Sequence, residues 1–312
     1  MTRVLKKIAV LGASSHVARS LLPYFFTETD AALFLFGRSA EKIKMSATIG
    51  LDDARVRVFD GFDDFEKEDY DLCLNCVGAG TPSVVQNAYT RWFTLTETFD
   101  NRILSYLEKQ NPAALYVSFS SGAVYGNMRR PAAGNSVLSL AVNDLRSEDY
   151  YILARLNAEA KHRAFDRLHI LDVRLFSYFS RYLDLNAGYF MSDVLKALKT
   201  RTVLHTNASD ISRDYIAPKD LFSLILCAAN SEDVNAAVDA YSLKPVLKSE
   251  ILNVFEKKFG LISVPDGKAS SPNGERNVYG SDYKAAQKFG YAPTMTALDA
   301  LTAETEAALE KE

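Results

Sequence analysis

The 312-residue chain predicts an α/β fold: a doubly wound parallel sheet of the Rossmann type, with a smaller C-terminal lobe for substrate. Three observations carry that expectation. Short apolar runs alternate with helical patterns through the first half, as in a sheet buried on both faces. A turn with a glycine, Gly12-Ala13-Ser14-Ser15-His16-Val17-Ala18, joins the first run to the first helical pattern. A hydroxyl-rich strand end, Ser118-Phe119-Ser120-Ser121, precedes a helical tyrosine, Tyr151, that has a cation, Arg155, four positions on. That last arrangement suits proton transfer at a carbonyl or carbinol carbon, and so hydride chemistry.

The elements follow in order. Lys7 to Leu11 reads as a strand and Val17 to Phe26 as a helix. Ala32 to Phe36 is a strand, Ala40 to Met45 a short helical turn, and Arg55 to Phe59 a strand. Leu72 to Val77 is another strand, followed by a long helix within Val84 to Gln110. Ala114 to Ser118 is a strand, Tyr150 to Phe165 a helix and Leu168 to Leu175 a strand. The right-handed crossover rule winds these units into one sheet with helices on both faces. Beyond Leu175 the pattern loosens, with helices expected at Gly188 to Lys199, Asp220 to Ala229, Ser249 to Phe259, Asp282 to Phe289 and Ala297 to Leu309, and a short strand at Val203 to His205. Pro265 to Gly274 is rich in glycine, proline and serine and reads as a loop. The expected division is residues 1–175 and 203–230 for a dinucleotide-binding domain, and 176–202 and 231–312 for the substrate lobe.

Composition narrows the function classes. A net charge of −3 gives no bias toward polyanions, so nucleic acid is not an expected partner. No apolar run approaches the roughly 18–20 residues of a membrane span, and the first residues lack the pattern of a signal peptide, so a cytoplasmic protein is expected. Cys73 and Cys76 form a C-x-x-C inside an apolar strand, where free thiols act as small hydrophobes; no metal site is expected there, nor among the four histidines, which lack ligand spacing.

The cofactor end is read from three strand ends. The turn at Gly12 aims backbone N–H groups and a helix N-terminus at a phosphate, with Gly12, Ser14, Ser15, His16 and Val17 as candidate contacts. Only Gly12 remains of the usual three glycines; Ser15 and Ala18 stand at the other two places. At the second strand end, Gly37 occupies the position where a carboxylate would hold the ribose of NAD, and Arg38 and Ser39 follow it. An arginine there can pair with a 2′-phosphate, so NADP is favoured, with NAD as the alternative. Asp60, at the third strand end, could reach an adenine amine, and Gly78 lies in a small-residue strand end that lets a cofactor approach the backbone.

Together these motifs resemble the extended short-chain dehydrogenase/reductase superfamily, and within it the NAD(P)-dependent epimerase/dehydratase family acting on nucleotide sugars. The anchors are the Gly12 turn, Phe119-Ser120-Ser121-Gly122-Ala123-Val124-Tyr125-Gly126, Tyr151 with Glu159, Asp172-Val173-Arg174-Leu175, Arg213-Asp214-Tyr215-Ile216, and Asp282-Tyr283-Lys284 through Pro293. The resemblance implies that Ser121 bonds the substrate oxygen and that Tyr151 is the general acid/base. Positions 151, 155 and 159 share one helix face, which puts residue 155 where it supplies a positive field to the phenol. At about 4 Å and an effective dielectric of about 20 that field amounts to roughly 4 kcal/mol. The family has lysine at that position. Arg155 keeps the charge but cannot pass on a proton. The resemblance further implies substrate contacts from Arg213 and Arg276, and a homodimer built on the helix bearing Trp92, Leu95, Phe99, Ile103 and Tyr106.

The function expected from the sequence is reduction of a keto group on a nucleotide-activated sugar with NADPH. Two alternatives stand beside it: a nucleotide-sugar epimerase, and a catalytically silent NADP-binding sensor, which Arg155 and the thinned glycine turn motivate.

Overall fold

A computed structural model of the chain describes residues 5–78, 89–266 and 278–310. Seven strands form the central sheet: β1 (Lys7–Leu11), β2 (Ala32–Gly37), β3 (Val56–Asp60), β4 (Leu72–Asn75), β5 (Leu115–Ser121), β6 (His169–Leu175) and β11 (Asn235–Asp239). Their order is β11-β6-β5-β4-β1-β2-β3, and every neighbouring pair is parallel. The order reverses between β1 and β4, so a crevice opens there at the carboxyl ends of the strands. The predicted doubly wound sheet is the observed one.

Both faces of the sheet are covered, which is why its strands read as unbroken apolar runs. On one face Ile8, Val10, Leu33, Leu35 and Val117 pack under α1 (His16–Glu28) and α6 (Pro218–Ala229). On the other, Ala9, Leu11, Phe34 and Tyr116 meet α3 (Thr90–Lys109) through Ile103, Leu104, Tyr106 and Leu107. Helix α4 (Ser147–Ala164) lies beside α3, and the short α2 (Ala40–Met45) follows β2.

A second core forms from α5 (Phe190–Thr200), α7 (Lys248–Phe259) and α8 (Ala297–Leu309), with Val194, Leu195, Ile251, Phe255 and Leu301 at its centre. Short strands knit this lobe together: β7 (Ser177–Tyr178) with β10 (Tyr215–Ile216), β8 (Leu204–Thr206) with β13 (Ser263–Pro265), and β9 (Ser212–Arg213) between β12 (Val246–Leu247) and β14 (Val278–Tyr279).

Three elements differ from expectation. Strand β11, in a stretch assigned to the lobe, is the seventh strand of the central sheet and pairs with β6 from Asn235 to Asp239. The strand expected to run to Val77 stops at Asn75, whose side-chain carbonyl accepts the N–H of Val77 at 3.2 Å and turns the chain. The helix expected from Asp282 to Phe289 is only a 3₁₀ turn at Ala285–Phe289. A bridge between Ser281 and Ala132, continued by the Asp282 amide donating to the Ala132 carbonyl at 2.8 Å, keeps the chain extended here, so the turn begins only at Ala285.

Candidate functional site

At the end of β1 the chain turns through Gly12, whose φ of +77° is open to glycine without strain. A Cβ here would lie 2.9 Å from the backbone of Cys76 and Val77, so the turn is pressed against the end of β4. Both Gly12 and Ala13 N–H groups donate to the Phe36 carbonyl, at 2.8 and 3.0 Å. Ser15 then caps α1, its hydroxyl accepting from Ala18 N–H at 3.3 Å. The first bond inside the helix runs from Arg19 N–H to the Ser15 carbonyl at 2.9 Å, which leaves the His16 and Val17 amides ahead of the helical ladder. A thirteen-residue helix begun this way presents amides and a positive dipole end to the crevice, a cradle that fits a dinucleotide pyrophosphate.

The His16 imidazole turns away from that cradle. Its Nε2 pairs with the buried Ser180 hydroxyl at 2.8 Å and its ring tilts over Tyr178. Burial, with Arg19 nearby, pulls its pKa down to about 4, so the ring is neutral at physiological pH. With Arg19, which donates to the Tyr182 carbonyl at 3.1 Å, it fastens the start of α1 to the segment after β6. Cys73 and Cys76 are buried; desolvation raises both thiols, Cys76 to about 12, with an opposing hydrogen bond to Ser15.

The second strand ends at buried Gly37, with Arg38 exposed beside it. Ser39 caps α2 by accepting Lys42 N–H at 3.2 Å, and the Asp60 carboxylate accepts Ala40 N–H at 3.0 Å. Asp60 therefore ties the end of β3 to the start of α2. Gly78 is exposed beyond β4, and Arg276 lies outside the described residues.

At the end of β5, Ser121 is buried. Its hydroxyl accepts Ala123 N–H at 3.2 Å, opening a 3₁₀ turn at Gly122–Tyr125, and pairs with the Tyr279 hydroxyl at 3.2 Å. A Cβ on Gly122 would lie 2.4 Å from the Phe176 ring, so only glycine lets that ring close over the turn. On α4, the Arg155 guanidinium carbon sits 5.3 Å from the centroid of the Tyr151 ring, and one of its nitrogens donates to the Phe119 carbonyl at 3.1 Å. Tyr151 and Arg155 thus meet one turn apart on α4, with the cation against the ring face and its far side bonded to β5.

Three aromatic residues complete the surroundings, none of them singled out from the sequence as a site residue. The Trp92 ring stands edge-on to Tyr151 at 4.7 Å. Tyr189, at the start of α5, is pushed up to about 12 by desolvation and by the nearby phenols of Tyr151 and Tyr279. Tyr279 packs edge-on against Phe176 at 5.3 Å and carries the Arg213 guanidinium over its ring at 5.7 Å.

Behind the site lie two buried polar chains. In one, Ser120 Oγ donates to Glu159 at 2.5 Å, Arg174 donates to both Glu159 oxygens and to Tyr125, and Tyr125 donates to Asp239 at 3.0 Å. In the other, both nitrogens of buried His162 face carboxylates, Asp100 at 2.6 Å and Asp172 at 2.8 Å. Burial alone would lower its pKa, but the two carboxylates outweigh burial and raise it to about 9. Asp214, in the Arg213-Asp214-Tyr215-Ile216 run, is structural: it accepts the Ser242 amide at 3.0 Å and the Ser242 hydroxyl at 2.5 Å.

Among the described residues no group of His, Cys, Asp or Glu is placed to hold a metal ion, and no helix is long and apolar enough to cross a membrane. Compared by sequence with curated proteins, the chain finds no match. Among solved structures it is similar to UDP-glucuronic acid 4-epimerase from Bacillus cereus in complex with UDP-glucuronic acid and NAD, with a TM-score of 0.76 at 15% identity over 98% of this chain and 100% of that one. UDP-N-acetylglucosamine 4-epimerase from Methanobrevibacter ruminantium M1 gives 0.77 at 16% identity over 99% and 100%. The dTDP-glucose 4,6-dehydratase from Bacillus anthracis str. Ames gives 0.76 at 14% identity over 98% and 97%. Likeness at this level of identity establishes the fold. Residues 8–243, more than half of the chain, match the family itself, and this protein belongs to the NAD dependent epimerase/dehydratase family.

Proposed function

We propose that this protein catalyses nicotinamide-dependent epimerisation at a carbon of a nucleotide-activated sugar. The observation that supports the reading is the position of Arg155, which lies over the Tyr151 ring and donates to the Phe119 carbonyl, two residues before Ser121 on the same strand. A nicotinamide bound there would supply the hydride acceptor and donor. The chain's own part is to hold the sugar hydroxyl by Ser121, to move its proton through the Tyr151 hydroxyl, and to stabilise the resulting charge with the Arg155 guanidinium. The His16 and Val17 amides, with Ser14 and the Ser15 hydroxyl beside them, would hold the pyrophosphate, with the tight turn at Gly12 and the end of β4 at Gly78 giving room for the approach. Gly37, Arg38, Ser39 and Asp60 would surround the adenosine end. Arg213, beside Tyr279, would meet the phosphates of the sugar nucleotide, and Arg276 remains a candidate for the same role.

The epimerase reading takes precedence over net reduction because two of the three similar structures above are 4-epimerases of UDP-sugars. Net reduction with NADPH keeps one specific support. Gly37 stands where an NAD site would carry a carboxylate, and Arg38 beside it is exposed and able to reach a 2′-phosphate.

The test is incubation of the purified protein with UDP- and dTDP-sugars and either cofactor, followed by chromatographic separation of sugar isomers. New isomers without net change in nicotinamide absorbance support epimerisation. Consumption of NADPH with a reduced product supports the reductase. Tight cofactor binding with neither outcome identifies a sensor. We further propose a homodimer in which α3 and α4 of two copies pack together. Of the stripe expected to meet the second copy, Ile103 and Tyr106 instead cover the sheet and Trp92 packs on Tyr151; Leu95, with Phe93 and with Tyr89 just ahead of α3, is at least partly exposed in the single chain. A monomer mass by light scattering would contradict the dimer.

A further inference from the structure

We propose that Tyr279 is a positioning residue of the active site, which fixes Ser121 as a hydrogen-bond donor toward the substrate oxygen. The inference rests on the reading of Ser121 given above and adds a residue to it. A serine hydroxyl has one proton and two lone pairs. The Ala123 amide, which can only donate, occupies one lone pair of Ser121 Oγ at 3.2 Å. The Tyr279 hydroxyl lies 3.2 Å from the same oxygen. A phenol is a much stronger acid than an aliphatic alcohol, so the proton between these hydroxyls belongs on the tyrosine side of the bond. The Arg213 guanidinium over the Tyr279 ring strengthens that preference, because it draws electron density from the phenol and disfavours its acting as acceptor. With both lone pairs filled, the one valence left to Ser121 is its own proton. A serine so arranged donates to a sugar oxygen and strengthens that bond as the oxygen gains negative charge in the transition state.

The backbone around Tyr279 is built to hold this geometry. Tyr279 and Arg213 are register partners in the parallel pairing of β14 with β9, so their side chains leave the small sheet on the same side. The Tyr279 carbonyl accepts Asp214 N–H at 3.0 Å, and the next carbonyl, that of Gly280, accepts Ala132 N–H at 2.9 Å. Ser281 is buried and donates to Asp239. Asp239 in turn accepts from Tyr125, four residues after Ser121. The strand carrying Tyr279 and the turn carrying Ser121 are thus clamped to the same carboxylate. Phe176, held over Gly122, closes the remaining side of the Tyr279 ring.

The experiment pairs kinetics with crystallography on the full chain, using Tyr279→Phe, Ser121→Ala and the double variant. The phenylalanine ring keeps the contacts with Phe176 and Arg213 and removes only the hydroxyl. A neutral hydrogen bond of ordinary strength gives an expected fall in kcat of roughly three- to ten-fold, with KM nearly unchanged. In the Ser121→Ala background the same substitution should have no effect on kcat, since its target is gone. An equal fall in both backgrounds would overturn the proposal, because a structural role alone predicts additivity. The crystal structure of Tyr279→Phe should show Ser121 Oγ moved to another rotamer or divided between two. A single unmoved Ser121 rotamer would also overturn it. This second arm needs no substrate, so it decides the role of Tyr279 even if no nucleotide sugar is turned over, an outcome that would count against the proposed function instead.

Discussion

The guanidinium of Arg155 lies against the face of the Tyr151 ring, 5.3 Å from its centroid, one helical turn along the same side of α4. A lysine ammonium is a mobile point charge; the planar guanidinium stacks and at the same time donates sideways to the Phe119 carbonyl at 3.1 Å. The pair is therefore locked to the strand that ends in Ser121.

Removing either member separates chemistry from stability. Tyr151→Phe should lower kcat by about 10² to 10⁴-fold, the range of a lost general acid/base, with little change in melting temperature because the ring keeps its contacts with Trp92 and Arg155. Arg155→Met should also slow turnover, and Arg155→Lys should recover part of the loss, since it restores the charge without the bond to Phe119. Steady-state kinetics beside thermal melts check both.

The turn at Gly12 is predicted to tolerate no side chain. Gly12→Ala combines a φ of +77° with a Cβ 2.9 Å from the backbone of Cys76 and Val77. A cost of at least about 1–3 kcal/mol follows from the backbone strain alone. Denaturant unfolding should show the loss, and fluorescence titration should show weakened nicotinamide-cofactor binding.

Two histidines set the pH range of stability from opposite sides. His162 has a folded pKa of about 9, above its unfolded value of about 6.5. Its contribution is therefore complete below about pH 6.5 and is lost as pH rises through about 9; a shift of this size corresponds to on the order of 3 kcal/mol. His16 has a folded pKa of about 4, so the unfolded chain takes up its proton first and stability falls as pH drops from about 6.5 toward 4. Maximum stability is expected at about pH 6 to 7. Unfolding free energies across this range should show both limbs. His162→Gln should lower stability at neutral pH and flatten the alkaline limb, while His16→Gln should flatten the acidic one.

The ion pair behind the strand end is a further test. Glu159→Leu leaves the Arg174 guanidinium buried without its bidentate partner and removes the acceptor of Ser120. Breaking a buried pair from one side costs about 3–5 kcal/mol, and denaturant unfolding should show that loss.

How far the residues alone disclosed this molecule depends on sequence distance. Tyr151, Arg155 and Glu159 follow the helical period, so their common face was evident from spacing alone. The strands of the first half were evident because burial on both faces writes an apolar run. Asn235–Asp239 escaped because its short segment, Asn235-Ala236-Ala237-Val238-Asp239, has little strand character of its own and is a strand only by pairing with β6. The helix expected at Asp282 failed because a bridge between Ser281 and Ala132 keeps the chain extended there, and no local pattern records a partner so far away as Ala132. The same reason hid Tyr279: it meets Ser121 across 158 positions, and nothing near Tyr279 in the chain marks it as part of a site.

The central claim is reversible hydride and proton transfer on a nucleotide sugar at the Ser121–Tyr151–Arg155 site, and isomer analysis of UDP-sugars incubated with enzyme and NAD tests it most directly. The account predicts that one sugar nucleotide is converted to a mixture with its epimer by the natural protein and left unchanged by Tyr151→Phe. Conversion at equal rates by both proteins, or no conversion of any nucleotide sugar by the natural one, would contradict it.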